Sequence, residues 1–354
     1  MHQHGAWSSI IARTRHSVET QSGNVANPAL DAIIVHNSIM TSSTDNTDTL
    51  HLEVSFDSPT FTHGADKATV EARPTEFKAE LRRWYRVLKA ANDCKLRELR
   101  QDEQKLFGGT TNNNPVRSKV LIRSMGCPKD LSVEEALGGV HDVFYLAHGI
   151  AESASKFGKA RCLFSYSNHS DNSVEHLWQL RLTVPEQHSD DIKKSLWMLD
   201  QFGSIGGRSN NGWGSLSVKL NDASELPKPD SSRLKLKLQD CLKEHWPHAF
   251  GQDDKGLMIW RLKNPQNPYK QLVDLRSKLD DEGKKIAPGK RSTTQVHFKV
   301  KKSKDAFWAM AYCMPYGCEE NSEREVISKW VRVIDGYDQW SRCNPFTEGN
   351  LGQS

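Results

Sequence analysis

Four residues open the pattern: Leu50, Leu52, Val54 and Phe56 alternate with polar neighbours, the period-two signature of a half-buried strand. The period changes at residue 75. Phe77, Leu81, Trp84 and Leu88 recur at helical spacing and predict one buried helix face. Thr75 is the expected N-cap of that helix, with Pro74 before it and Glu76 in the first turn. Lys78, Arg82, Arg86 and Lys89 fall in a stripe beside the apolar face, while Glu76, Glu80 and Arg83 are expected to face solvent.

A second helical stretch over 92–106 stops at Gly108 and Gly109, and residues 112–115 read as a loop. A strand is expected over 116–122. Residues 124–174 form an insertion with short strand candidates at 143–147 and 161–166. Strict alternation returns with Trp178, Leu180, Leu182 and Val184. A helix starts at Ser189 and carries Ile192, Leu196 and Leu199 inward, and a strand over 215–220 follows a glycine-rich loop. The order is β-α-β-β-α-β, the ferredoxin-like split βαβ.

Pro227 and Pro229 mark a linker. Beyond it the pattern predicts a helix over 232–246, strands over 257–262, 295–301 and 306–313, and helices over 268–279 and 323–334. The fold class expected is α+β, with two ferredoxin-like domains, the second degenerate. The expected division is a poorly ordered extension at 1–48, a domain over 49–222 carrying the insertion, a linker at 223–231 and a second domain over 232–354. The extension holds one apolar patch at 29–35, and Met40 is a candidate start.

Composition narrows the class. Of 354 residues, 36% are hydrophobic and 26% charged, the balance of a globular chain. No apolar window is long enough to span a membrane, and a cytoplasmic protein is expected. Seven scattered cysteines argue for a reduced compartment; Cys313 and Cys318 have four residues between them, but no second pair with zinc-ligand spacing follows. The net charge of +4 is mild, but its distribution is not: residues 284–304 hold eight Lys or Arg and no acid. That segment is either a solvated basic strand and loop or a surface that tracks phosphates.

No catalytic, metal or cofactor constellation is evident. The glycine run lacks the Gly-Lys-Ser/Thr ending of a nucleotide-binding loop and the spacing of a dinucleotide fingerprint. His63 is a loop histidine, a conceivable general base but more simply a surface residue. The loop at 203–216 has a rationale in binding. Gly203, Gly206, Gly207, Gly212 and Gly214 leave backbone N–H groups open to a sugar-phosphate chain. Arg208 adds a phosphate contact and Ser209, Asn210 and Asn211 add hydrogen-bonding groups. Trp213 is placed either to stack on a base or to pack in the core. The cationic stripe likewise has two readings, ordinary snorkelling over the core or contact with nucleic acid.

Taken together the motifs resemble a known family. His63-Gly64-Ala65, the run Arg73 to Arg86 (Arg-Pro-Thr-Glu-Phe-Lys-Ala, Leu-Arg-Arg-Trp-Tyr-Arg), Glu103-x-x-Leu106-Phe107-Gly108 and the loop Gly206 to Leu216 are similar, in order and spacing, to the RAMP superfamily of CRISPR RNA-binding proteins. More narrowly they resemble the subunit-one family of the type III-B, or Cmr, effector complex. The chain departs from that pattern at His63, Ala79, Asn210 and Asn211. The resemblance implies a non-catalytic subunit of an RNA-guided antiviral complex, without cofactor or metal. Its implied partners are the CRISPR guide RNA, the target RNA and other RAMP subunits, with no membrane. The implied RNA-binding residues are Arg73, Thr75, Lys78, Arg82, Arg86, Gly206, Gly207, Arg208, Ser209, Asn210, Asn211 and Trp213. The alternative is a metal-independent RAMP endoribonuclease that processes CRISPR RNA.

Overall fold

The computed structural model describes residues 46–63, 69–90, 96–111, 114–139, 141–165, 177–264, 267–286, 295–303, 306–317 and 322–347. Residues 1–45 of the extension, with its apolar patch and Met40, Gly64-Ala65 of the first motif, and 287–294 and 304 of the basic segment lie outside them, while residues 47 and 48 of the expected extension already belong to the first strand. Two βαββαβ units follow one another along the described chain. In the first, β1 (Thr47–Phe56), α1 (Pro74–Ala90), β2 (Leu121–Gly126), β3 (Trp178–Pro185), α2 (Ser189–Phe202) and β4 (Leu216–Leu220) give a sheet of order β2-β3-β1-β4. In the second, β5 (Ile259–Leu262), α3 (Pro268–Ile286), β6 (Val296–Ser303), β7 (Ala306–Cys313), α4 (Ser322–Asp335) and β8 (Trp340–Arg342) give β6-β7-β5-β8. Every neighbouring pair in both sheets is antiparallel. Both sheets therefore have the ferredoxin-like order, and the second is topologically complete.

Period-two burial holds β1 and β3 in register: Leu52 faces Leu180 and Leu50 faces Leu182, all inward. Onto them pack Phe77, Leu81 and Trp84 of α1 with Ile192, Leu196 and Leu199 of α2. This core does not stop at the first unit. Trp84 and Phe202 meet Phe250 and Tyr312 of the second half, with ring centroids 4.6–6.4 Å apart, and the Tyr312 hydroxyl donates to the Phe202 carbonyl at 2.8 Å. Aromatic area of this kind, shared across the join, ties the two units into one cooperative body.

Several elements differ from the pattern. Helix α1 starts at Pro74, so Thr75 is its second residue and not its cap. The Arg73 carbonyl accepts the first bonds, from Glu76 N (3.0 Å) and Phe77 N (3.3 Å). Proline suits that first position because its missing N–H would have no intrahelical partner there. Strand β2 runs five residues later than expected, since Asn114–Val116 folds back as a hairpin on Gly109–Thr111. The strand candidate at 143–147 is a 3-10 turn, His141–Ala147. A five-residue apolar run does not distinguish the two. The helix expected over 232–246 shrinks to Leu238–Cys241, preceded by the strand Lys235–Lys237. Here Leu234, Leu236 and Leu238 alternate with basic residues, a period of two that outweighs helix propensity. Strand β8 escaped the pattern because three residues carry no period.

Candidate nucleic-acid interface

Three motifs meet around Phe61–His63, and the glycine loop comes to it from far along the chain. Gly207 N–H donates to the Phe61 carbonyl at 2.9 Å. Thr62 Oγ1 donates to the Glu71 carbonyl at 2.7 Å, and Arg73 Nη1 donates to the His63 carbonyl at 3.2 Å. The first loop thus lies between the glycine loop and the start of α1. Gly207, Arg208, His63 and Thr75 are exposed, and Arg73 is partly so. Arg208 occupies the left-handed region (φ 58°), a conformation that costs a non-glycine residue about 1–2 kcal/mol. Its guanidinium lies over Gly149 of the insertion, where any Cβ would collide with it. It makes no ion pair among the described residues.

The two glycines at the tip differ. Gly206 has φ +83° and packs so tightly on Phe61 that a Cβ would sit 2.7 Å from its carbonyl oxygen. Gly207 has no such demand: a Cβ there would meet Phe61 at 3.6 Å, ordinary contact, and face solvent. Gly206 is therefore required by the fold itself, and Gly207 is not.

The rest of the loop is tied down by contacts within the protein, and its end from Gly212 onward is buried. Trp213 is fully buried between Phe61, Phe157 and Tyr269, at 5.9, 5.8 and 5.4 Å, so the base-stacking role is corrected to a core role. The Asn210 carbonyl accepts Phe298 N–H at 3.0 Å, and its side chain accepts from His297 Nδ1 at 2.9 Å. Burial, with Arg83 and Arg276 nearby, pulls the His297 pKa down to about 3, so the imidazole is neutral when it makes this bond. Asn211 Nδ2 donates to the Leu146 carbonyl at 3.0 Å. Both asparagines, expected to add hydrogen bonds to a ligand, instead bolt the loop to the second sheet and the insertion. The Ser209 carbonyl accepts Gly212 N–H at 3.4 Å.

The cationic stripe is also spent internally. Arg82 pairs with Glu103, which is 3% exposed, and Arg86 Nε lies 3.4 Å from the same carboxylate. Lys78 donates to Ser118 Oγ and to the Val120 carbonyl (3.0 Å), and burial, with Arg82 beside it, lowers its pKa. Lys89 meets Asp191 of α2 at 2.8 Å. Glu80 accepts from Trp84 Nε1 at 2.9 Å and lies 3.6 Å from Arg83, so this pair faces the core's edge and not open solvent. Glu103 was visible in the Glu-x-x-Leu-Phe-Gly motif, but no spacing rule could show that two arginines on α1 close over it.

Beneath the loop, Lys299 is fully buried and donates to the carbonyls of Gly203 (2.7 Å) and Leu216 (2.6 Å). It closes the C-terminal end of α2, where backbone acceptors and the helix dipole favour a donor. Burial pulls its pKa down to about 7, and burial pushes that of nearby Asp57 up to about 6. Lys301 pairs with Asp200. Two lysines of the basic segment are thus structural.

Residues 53–217 match the family model of the RAMP superfamily. No curated protein matches the chain. Among solved structures it is similar to Cmr1 from Pyrococcus furiosus in the apo form, at 16% identity and a TM-score of 0.49, covering 83% of this chain and 98% of that one. It is also similar to a chain of the type III-B Cmr-beta complex bound to cognate target RNA and AMPPnP in the presence of single-stranded DNA (14% identity, TM-score 0.43, 81% and 99% covered). A third likeness is to a chain of Cmr-beta bound to cognate target RNA (13%, 0.42, 80% and 98%). The RAMP match begins within β1 and ends within β4, the span of the first βαββαβ unit together with its insertion. No described helix is long and apolar enough to cross a membrane.

Proposed function

We propose that this chain is a non-catalytic RNA-binding subunit of a type III-B CRISPR effector complex, holding the 3′ portion of the guide RNA and the guide–target duplex. The observation that carries the reading is the junction at Phe61–His63, where exposed Gly207, Arg208 and Thr75 lie with partly exposed Arg73. Family motifs that are separate in sequence converge there on an exposed glycine and on Arg208, which makes no ion pair among the described residues, beside Arg73, whose Nε lies 3.5 Å from Glu71. Such a surface reads sugar-phosphate and shape, while sequence is left to base pairing between guide and target. Of the twelve candidate residues, Arg73, Thr75, Gly207 and Arg208 carry the contact. Ser209 flanks it, and Gly206, Asn210, Asn211 and Trp213 hold the loop that presents it. Lys78, Arg82 and Arg86 support α1. The partners are the guide RNA, the target RNA and neighbouring RAMP subunits.

The test is affinity purification of the tagged full chain from its own cells, with sequencing of the RNA and identification of the proteins that accompany it. Repeat-derived CRISPR RNA and further RAMP subunits are the expected companions. Recovery of the chain alone, or with RNA unrelated to CRISPR transcripts, would refute the assignment.

A further inference from the structure

We infer a second, backbone-reading RNA contact on the open face of the first sheet, centred on Arg123 and Arg181. It rests on the RNA-binding reading and uses different residues. Leu50, Leu52, Leu180 and Leu182 point toward α1 and α2. Their neighbours in sequence point to the opposite face, which is polar. There Arg123 of β2 stands directly opposite Arg181 of β3, and Arg181 directly opposite His51 of β1. Strand spacing of about 4.8 Å makes this a continuous row across three strands. His51 and Arg123 are exposed and Arg181 is half-buried.

Two arginines side by side in one register repel each other, and sheets ordinarily place opposite charges in such pairs. Here no carboxylate among the described residues pairs with either. The nearest acid on this face, Glu53, lies one row along. It accepts from Gln179 Nε2 at 3.4 Å and stands in register with Lys219. The repulsion is relieved when an anion bridges the row. On the other side, Thr49 and Thr183 supply hydroxyls in register.

The chemistry selects the occupant. The outward residues of β1, β2, β3 and β4 include no Phe, Tyr or Trp, so this sheet lacks the stacking platform with which RRM sheets read bases. What it offers is cationic forks and hydroxyls, which suit phosphates and sugars. Single-stranded RNA held by its backbone, without base preference, fits that set. Leu121, 43% exposed, borders the row on the edge strand.

The experiment is binding of a fluorescein-labelled 20-nucleotide oligouridylate to the full-length protein, titrated from 0.1 to 1 M salt. Each single-strand phosphate contact contributes a slope of about 0.7 in log affinity against log salt, about 5-fold at 0.1 M relative to 1 M. Arg123→Ala with Arg181→Ala should therefore weaken binding about 25-fold at 0.1 M and lower the slope by about 1.4. The loss should be the same for oligoadenylate. Arg123→Lys with Arg181→Lys should keep the slope. Melting temperature should hold in both variants, because only a like-charged pair has been removed or conserved. If Arg→Ala lowers the melting temperature, the Arg→Gln pair is read in its place. Wild-type binding with an unchanged affinity in the charge-removed variant overturns this inference and leaves the proposed function standing, as would follow if the face docked protein. Failure of the wild type to bind either oligonucleotide overturns both.

Discussion

Substituting the two neighbouring glycines separates what the loop does for the fold from what it does for a ligand. Gly206→Ala adds a Cβ 2.7 Å from the Phe61 carbonyl oxygen at a φ of +83°. The left-handed conformation costs about 1–2 kcal/mol for an L side chain, and displacing the Phe61 backbone adds to it. That backbone is not free to yield, since Phe61 accepts from Gly207 and its ring packs on Phe157 and Trp213. A total near 2–3 kcal/mol corresponds to a fall of about 5 °C or more in melting temperature. Gly207→Ala meets only ordinary contact at 3.6 Å and loses backbone freedom in the unfolded chain, so its stability should stay within about 0.5 kcal/mol of wild type or rise. Thermal melts read the first quantity, and salt-titrated RNA binding of the folded fraction reads the second. Gly207→Val, with its branched side chain on the exposed surface, should weaken RNA binding while melting like wild type. Arg208→Ala should lower the salt slope by about one phosphate contact. Equal melting of Gly206→Ala and wild type would refute the packing argument, and wild-type affinity of both Gly207→Val and Arg208→Ala would reduce the loop tip to a connector.

Arg82→Glu with Arg86→Glu should unfold the protein more readily, by about 3 kcal/mol or more in urea titration, because three carboxylates would then meet at buried Glu103. A variant of wild-type stability would show the pairs to be superficial. The depressed pKa of Lys299 makes the folded state bind fewer protons than the unfolded between pH 7 and the ordinary lysine value, so its contribution grows as pH rises above 7 and is lost as pH falls through 7. Asp57 acts oppositely and lower, its contribution lost as pH rises through about 6. Wild type should thus gain up to about 2 kcal/mol between pH 7 and 9 relative to Lys299→Met; parallel urea midpoints for the two would contradict this. The purified chain should not cut RNA. Specific cleavage of a CRISPR repeat that His63→Ala abolishes would favour the endoribonuclease reading.

The alternation at Leu50–Phe56 and Trp178–Val184 and the helical spacing of Phe77, Leu81 and Trp84 determined the first βαββαβ unit from sequence, because burial against a single core imposes those periods directly. The family motifs were equally legible. What the sequence could not determine is which polar groups remain free. Arg82 and Arg86 have the same spacing whether they face RNA or a carboxylate. Only the approach of the helix Leu96–Phe107, which carries Glu103 onto α1, decided the matter. Gly206 and Gly207 are identical letters, separated in role by the position of one Phe61 carbonyl. Asn210 and Trp213 became structural because β6 and Tyr269, some 60–90 residues later in the chain, close over the loop. The row Arg123–Arg181–His51 exists only through strand register, which pairs residues up to 130 positions apart. Local periodicity is fixed by each residue's near neighbours in sequence, whereas charge pairing and exposure depend on long-range contacts that the tertiary fold alone creates.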